Sequence, residues 1–372
     1  MSMKEKKRIS SEGHSKRVAL LPLLTGWNRQ KKNILYNFCN MYNPHIIYDE
    51  DNRKYPFLMW FFGWAIQDTN PGFPGCDAIF VARGKSMESF EVYAGDGKWD
   101  SNMDPALWRP VLTAGNTWFD CWHVGDPSVV KNDGIYYMAF SSYAFDRDEI
   151  PSWGSGDTDG DLCCIMGAES GDGIHWEKSK KPILIWENEI GKNENLMIEN
   201  GFYCGNYHRP SIMWDQGKWK MWFDYILHDE GYCIGYAENE GNFMDPGSWK
   251  IKRADESPVL KQFVNPDVIK IKDKYYMYGD PAVHHHGADP RLIGSKGWPA
   301  RQITEAVSVN GIDWNITGWL NPDDDTPACQ IPEAFVFEGK AYLLYACQIG
   351  GKPYDFRYNR IRYAVKSLDD FS

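Results

Sequence analysis

Polar side chains flank five prolines that are spread along the chain. The residues before and after each proline are Asn43 and His45, Asp126 and Ser128, Arg209 and Ser211, Asn265 and Asp267, and Ile331 and Glu333. Residues two apart on a strand share a face, so each pair is expected to point to one side. Three carboxylates, an arginine, a histidine and two amides would be costly to bury without partners. The pattern therefore predicts a ligand site.

Two carboxyl groups flanking one bond, one protonated and one ionised, are what cleavage of a glycosidic bond requires. Crowding like charges raises the pKa of one group, which lets it hold a proton near neutral pH. Asp126, Asp267 and Glu333 are the candidate acidic centre, and Asp77 on a neighbouring strand is a further candidate.

Each of these residues also has a structural interpretation. Asp126 could cap a turn beside its proline. Asp267 and Glu333 could form salt bridges with Arg209. Arg209 could neutralise these acids, or it could grip hydroxyls or a substrate carboxylate. The residues alone leave these alternatives open.

The segments around the prolines form an internal repeat. Each repeat has an apolar strand, a turn such as NDG, DQG or EG, and an aromatic-rich strand, at residues 43–64, 126–142, 209–225, 265–280 and 331–346. A second signature, an apolar strand often followed by a turn ending in Trp, follows each hairpin at residues 77–86, 163–176, 232–241, 303–314 and 361–371. Five repeats of three to four short strands predict an all-β, five-bladed β-propeller. An irregular all-β sandwich is the alternative, but sandwiches do not repeat a two-part signature.

The propeller also predicts the organisation of the whole chain. The innermost strands line a central channel, so equivalent positions of the repeats converge there. Residues 17–24 (RVALLPLL) have no blade of their own and are expected to supply the outer strand of the last blade. Residues 1–16 are expected to be a disordered tail, and residues 17–372 a single domain.

The five hairpins, the turns AESGDGIHW and AVSVNGIDW, and the Asp126-Pro127 pair resemble the five-bladed propeller glycoside hydrolases. These are the arabinanase and xylosidase group (family 43) and its relatives, including the fructosidase and neoagarooligosaccharide hydrolase families. The resemblance implies that Asp126 orients the sugar and tunes the general acid. It also implies a base or nucleophile at the position of Asn43 and an acidic Glu at the position of His208.

Two of the three catalytic groups that the resemblance implies are therefore replaced. Histidine can act as a general acid, and the neoagarooligosaccharide hydrolases are thought to use one, so His208 is a candidate. The carboxylate missing at Asn43 would come from Glu333, Asp267 or Asp77. Glu333 is favoured, because it places an acid where preceding repeats carry Ser, His or Asp.

The remaining candidates would bind the sugar. Arg209, Asn43, His45 and Asn265 are expected to hold hydroxyls, while Trp64, Trp122 and His123 would offer an aromatic platform at the mouth of the channel. Trp176 and Trp314 recur at turns and are interpreted as packing residues. The run His284-His285-His286 is interpreted as a solvated loop, because consecutive residues of an extended chain rarely chelate together. Residues 65–76 and 144–160 are expected to narrow the channel as lids.

Composition limits the partners. The formal net charge of −11 argues against nucleic acid or an anionic membrane, and 17 Trp, 21 Tyr and 18 Phe suit sugar faces. The nine cysteines form no CxxC pair and predict neither a disulfide framework nor a zinc site, and no metal or cofactor is expected. Neither a secretory signal nor an apolar run of membrane-spanning length is visible. We therefore expect a cytoplasmic protein, or a secreted or periplasmic one if the sequence was trimmed.

Together these patterns predict a glycoside hydrolase, exo-acting on plant or algal oligosaccharides. One alternative is a carbohydrate-binding propeller that has lost its catalytic carboxylates, with Asn43 and His208 as the remnants. Another is a glycoside phosphorylase, in which Arg209 and the histidines would bind phosphate. The sugar, the linkage, the stereochemical course and the oligomeric state are left open by the sequence.

Overall fold

In the computed structural model of the chain, the described residues are 22–38, 41–64, 72–117, 119–144, 162–186, 207–227, 231–254, 257–281, 303–320, 328–348 and 359–371. They form five antiparallel sheets. Two single-turn 3₁₀ helices, Pro246–Ser248 and Leu368–Asp370, are the helical elements of these ranges. Neither of these two helices has the length and apolar character needed to cross a membrane.

Blade 1 is the most elaborate sheet. It contains β2 (Tyr42–Tyr48), β3 (Phe57–Trp64), β4 (Asp77–Ser86), β5 (Ser89–Tyr93), β6 (Trp99–Asp100) and β7 (Leu112–Thr113). Blade 2 has four strands, which are β8 (His123–Asn132), β9 (Ile135–Ala144), β10 (Leu162–Ser170) and β11 (Glu177–Lys178).

The other three blades follow the same order from the inside outward. Blade 3 contains β12 (His208–Asp215), β13 (Lys218–Leu227), β14 (Gly231–Asn239), β15 (Trp249–Arg253) and β16 (Leu260–Lys261). Blade 4 contains β17 (Phe263–Ile271), β18 (Lys274–Pro281), β19 (Thr304–Ser308) and β20 (Asn315–Trp319). Blade 5 contains β21 (Ala328–Phe337), β22 (Lys340–Gln348), β23 (Asn359–Ser367) and, from the N-terminal part of the sequence, β1 (Asn28–Arg29).

The innermost strands β2, β8, β12, β17 and β21 contact one another in a closed ring. This confirms the all-β, five-bladed β-propeller. The predicted hairpin turns are also present: Asp133-Gly134, Gln216-Gly217 and Glu338-Gly339 each place two successive residues at positive φ. Such pairs match the right-handed twist of the two strands that they join.

The prediction for the N-terminal strand was wrong in position. Among the described residues, the outer strand of blade 5 is β1, whose residues 28 and 29 pair with β23. Leu23 instead bridges Trp319 of blade 4, and the Leu24 N–H donates to the Trp319 carbonyl at 2.8 Å. Residues 22–24 lie along the outer edge of β20 before the chain turns at Gly26 (φ 82°) toward blade 5. Residues 1–16 lie outside the described residues.

Every innermost strand carries a bulge at its proline. The preceding residue has a positive φ in all five blades: 43° at Asn43, 50° at Asp126, 46° at Arg209, 55° at Asn265 and 48° at Ile331. The pairing register with the second strand shifts at the same point in each blade. The bulge interrupts the two-residue alternation, and the expectation that each flanking pair acts together fails. In blades 2, 3 and 4 the two members of the pair bond different partners.

The residues that follow the prolines staple the ring together. Ser128 Oγ accepts the Ile212 N–H at 3.0 Å, and Ser211 Oγ accepts the Val268 N–H at 2.9 Å. Equivalent hydrogen bonds complete the ring. Asp267 accepts the Ala334 N–H at 2.7 Å, Glu333 accepts the Ile46 N–H, and His45 Nε2 bonds the Val129 carbonyl at 2.6 Å. We call these five side chains the belt. Each one bonds the backbone of a neighbouring blade.

Outer turns join neighbouring blades in a second way. Gly173 has φ 75°, and its carbonyl accepts the Trp60 indole N–H of blade 1 at 2.9 Å and that of Trp176 at 3.1 Å. Gly311 does the same for two indoles, Trp222 of blade 3 at 2.7 Å and Trp314 at 3.0 Å. These are the two Gly-Ile-x-Trp turns of the repeat, and both hold packing tryptophans.

Candidate active site

Asp126 is the centre of a series of alternating acids and imidazoles. It sits at the bulge of β8, and its Oδ2 lies 3.1 Å from His208 Nε2 and 3.6 Å from His123 Nε2. His123 and His208 are the first residues of β8 and β12, so two adjacent blades each contribute an imidazole. All three side chains are buried.

A further carboxylate stands behind each imidazole. Asp77 begins β4 in blade 1; its Oδ2 lies 2.5 Å from His123 Nδ1, and its Oδ1 accepts the Val124 N–H at 2.8 Å. On the other side, Asp224 Oδ1 lies 3.6 Å from His208 Nδ1. The order Asp77, His123, Asp126, His208, Asp224 therefore spans three blades.

The sequence analysis missed Asp224, which belongs to the site, and Asp280, its structural equivalent in blade 4. Both lie on second strands, opposite the residue that precedes the bulge, and Ser141 holds the same place in blade 2. Each accepts the bulge N–H of the following blade: Arg209 to Ser141 at 2.8 Å, Asn265 to Asp224 at 2.9 Å and Ile331 to Asp280 at 3.4 Å. The available signal was a polar residue near the end of an otherwise apolar strand, in AFSS, WFDY and YGDP.

The series fixes the charge of its central members. Burial alone would lower the pKa of His123, but Asp77 and Asp126 outweigh it and raise the pKa to about 9. Burial would raise the pKa of Asp126, yet His123, His208 and Arg209 hold it well below the usual range. Asp126 is therefore ionised and His123 protonated at neutral pH. Asp126 Oδ1 is buried and accepts no hydrogen bond from the described residues, so it is an unsatisfied acceptor within the site.

The second acidic group lies within the belt. Glu333 Oε1 is 2.9 Å from His45 Nδ1, and Asp267 shares a hydrogen bond with Glu333. Burial raises the pKa of Glu333 to about 8, and burial together with Glu333 raises the pKa of Asp267 well above its usual range. Burial lowers the pKa of His45, and the Val129 carbonyl fixes its proton on Nε2. At neutral pH, Asp267 and Glu333 are therefore held together by a shared proton beside His45.

The remaining predicted residues divide between these groups. Arg209 is half-buried and pairs with Asp224 at 3.3 Å, and Asn265 donates its amide to Asp280 at 2.6 Å. Asn43 is half-buried at its bulge, and Trp122 is 8% exposed against Cys76. Their roles in binding a sugar stay predictions. Trp64 ends β3, but its side chain, the run His284–His286, residues 65–71 and residues 145–160 lie outside the described part of the chain.

Among the described residues, His45, Asp267 and Glu333 could share a cation, since one ligand atom from each lies within 4.8 Å of the others. The same holds for His123 with Asp126 and His208, and for His123 with Cys76 and Asp77. In both of these sets a metal would have to displace the proton of His123, whose pKa Asp77 and Asp126 raise to about 9.

Comparison with known proteins finds the same fold in solved structures at low sequence identity. The BT0996 RGII complex has a TM-score of 0.61 at 13% identity, covering 96% of both proteins. Zg3597, a family 117 glycoside hydrolase from the marine bacterium Zobellia galactanivorans, has a TM-score of 0.56 at 13% identity, covering 94% of this chain and 93% of its own. The Cellvibrio cellulosa α-L-arabinanase complexed with arabinohexaose has a TM-score of 0.51 at 14% identity, covering 88% and 92%.

No family model and no curated protein sequence matches the chain. The structural matches run over nearly the full length of both partners, so they confirm the five-bladed propeller that the repeats predict. At these identities the likeness establishes the fold, and the chemistry must be argued from the site.

Proposed function

We propose that the protein cleaves glycosidic bonds of plant or algal oligosaccharides, acting on a terminal sugar. The observation that carries the proposal is the buried series from Asp77 to Asp224, in which an ionised Asp126 beside an imidazole has one oxygen that accepts no hydrogen bond from the described residues. Buried charge on this scale costs free energy and is typical of catalytic sites. The names of the structural neighbours, a family 117 glycoside hydrolase and an arabinanase, support the same reaction class.

His208 is the proton donor in this proposal. Its Nε2 faces Asp126, the carboxylate that would also orient the sugar through Oδ1. As the glycosidic bond breaks, the leaving oxygen takes a proton from His208 and positive charge develops on the sugar ring. The Asp126 carboxylate stabilises that charge. Water then bonds to the anomeric carbon, and the proton that it releases restores His208.

Asp126 and His208 do not form an acid and base pair on opposite sides of a bond. Such pairs stand about 5 to 9.5 Å apart, whereas these two groups are 3.1 Å apart. Glu333 and Asp267 are the remaining candidates for the second carboxyl, as the sequence predicts. Both would have to act from the belt, where each already accepts a backbone N–H.

Asn43 favours a second candidate function, a sugar-binding protein without turnover. An amide at this position cannot take a proton, and the free oxygen of Asp126 would serve a bound hydroxyl equally well. Phosphorolysis has less support from the described side chains. Three carboxylates, Asp77, Asp126 and Asp224, lie around the cations of His123 and Arg209, and they would repel a phosphate dianion.

The test is product release from a panel of aryl glycosides and oligosaccharides, with and without phosphate. The variants are Asp126→Asn and His208→Gln, and each is expected to lower kcat/KM by about 10²- to 10⁴-fold. His175→Gln is the matched control, because His175 forms an exposed pair with Asp172 at 2.7 Å on an outer turn.

The outcomes separate the candidates. Hydrolysis that both site variants lose and the control keeps supports the proposal. Sugar binding without turnover in the wild type supports the binding protein, and turnover that requires phosphate supports a phosphorylase. Turnover that survives in both site variants would place the chemistry elsewhere.

A further inference from the structure

We infer that Asp224 is a positioning residue, which holds both the proton donor His208 and the side chain of Arg209 in place for the reaction. The inference rests on the proposed function for its catalytic meaning. Asp224 is fully buried at the end of β13 and would act through these neighbours.

Three groups from two blades meet at this one carboxylate. Oδ1 lies 3.6 Å from His208 Nδ1, while Oδ2 lies 3.3 Å from Arg209 Nη1 and accepts the Asn265 N–H at 2.9 Å. His208 and Arg209 are consecutive in sequence, and the positive φ at Arg209 turns the chain between them. Asp224 therefore contacts both residues, and it meets His208 at the ring nitrogen that does not face Asp126.

Comparison with the other blades shows that the architecture does not require a charge here. The equivalent residues are Phe62, Ser141, Asp224, Asp280 and Ala346. Ser141 accepts the next bulge N–H through a hydroxyl, which performs the structural task without burying an ion. Two other blades manage with Phe or Ala. A fully buried carboxylate is costly, so the charge of Asp224 needs another explanation.

The nearby imidazole of His208 explains why blade 3 carries a charged residue at this position. Within the described residues, Asp224 is the member of this set that faces an imidazole and a guanidinium together. The Asp224 carboxylate lies at ion-pair distance from Nδ1, while Nε2 of the same ring faces Asp126. The arrangement is that of a carboxylate orienting a catalytic histidine, with Arg209 fixed alongside.

Asp224→Asn tests the charge while keeping an acceptor oxygen for the Asn265 N–H. Removing a negative charge this close to His208 is expected to move the basic limb of the pH profile of kcat/KM to lower pH by about one to three units. Asp224→Ser copies the residue of blade 2 and should show the same shift. Asp280→Asn is the control, since Asp280 also accepts a bulge N–H. Its profile is expected to keep the wild-type midpoint.

A merely structural Asp224 would behave differently. Both Asp224 variants would then lose thermal stability as Asp280→Asn does, with the pH profile unmoved, and that result would overturn the inference. If the wild type has no turnover at all, the proposed function fails, and the positioning contact is tested by NMR titration of the His208 ring. In that titration, an unchanged midpoint in Asp224→Asn refutes the positioning contact, and a lowered midpoint supports it.

Discussion

Glu333→Gln is expected to remove the part of the pH dependence of folding that Glu333 contributes. Glu333 is 3% exposed and shares a hydrogen bond with Asp267 beside His45. Its pKa is 4.5 in an unfolded chain and about 8 here, because burial disfavours the charged form. Glutamine has nearly the shape of the protonated acid and carries no titrating proton.

The sign follows from proton binding. Between pH 4.5 and about 8, the folded state holds a proton on Glu333 that the unfolded state has released. The stability from this group is therefore full below pH 4.5 and is lost as pH rises to about 8. A rise from 4.5 to about 8 sets the limit at about 5 kcal/mol, at about 1.36 kcal/mol per pKa unit.

Urea unfolding followed by tryptophan fluorescence at pH 5, 6, 7, 8 and 9 measures the effect. The free energy of unfolding of the wild type should fall relative to Glu333→Gln by several kcal/mol, about 5 at most, across this range. Glu240→Gln, at an exposed carboxyl, is the control and should track the wild type. Parallel curves for the wild type and Glu333→Gln would refute the reasoning, because Glu333 would then be ionised in the folded protein.

Three further predictions concern the turns, the belt and the central carboxylate. Gly173→Ala should lower the free energy of unfolding by about 1–3 kcal/mol in denaturant titrations, because φ is 75° and a Cβ would meet Trp60 at 2.9 Å. Gly171→Ala is the control: a Cβ there has open space, and the free energy of unfolding should change by less than about 0.5 kcal/mol. Ser211→Ala leaves the Val268 N–H without its acceptor and should cost about 1–3 kcal/mol, measured in the same way. Asp126→Asn removes one of the two carboxylates that raise the pKa of His123, and NMR titration should show that pKa falling from about 9.

How much of the fold the sequence predicts depends on how far apart in sequence the interacting residues lie. The hairpin turns and the paired strands repeat at each blade, so local patterning was enough for the propeller. The strand that closes the ring was misplaced, since RVALLPLL reads as a strand while Asn28–Arg29 carries no apolar pattern. Pairing with β23, which is distant in sequence, decides which N-terminal residues form the strand, and a strand of two residues gives little periodic signal.

The candidate site follows the same division. The prolines alone bring Asp126, Arg209 and Asn265 to one end of the channel, because equivalent positions in a repeat converge. The sequence could not show that the residue before each proline has a positive φ, or that the two members of each pair in blades 2, 3 and 4 bond different partners. Nor could it separate Asp126, ionised between two imidazoles, from Asp267 and Glu333, held as acids in the belt. Residue types set which groups can titrate, but neighbours from other blades set where each proton stays, and only the closed ring supplies those neighbours.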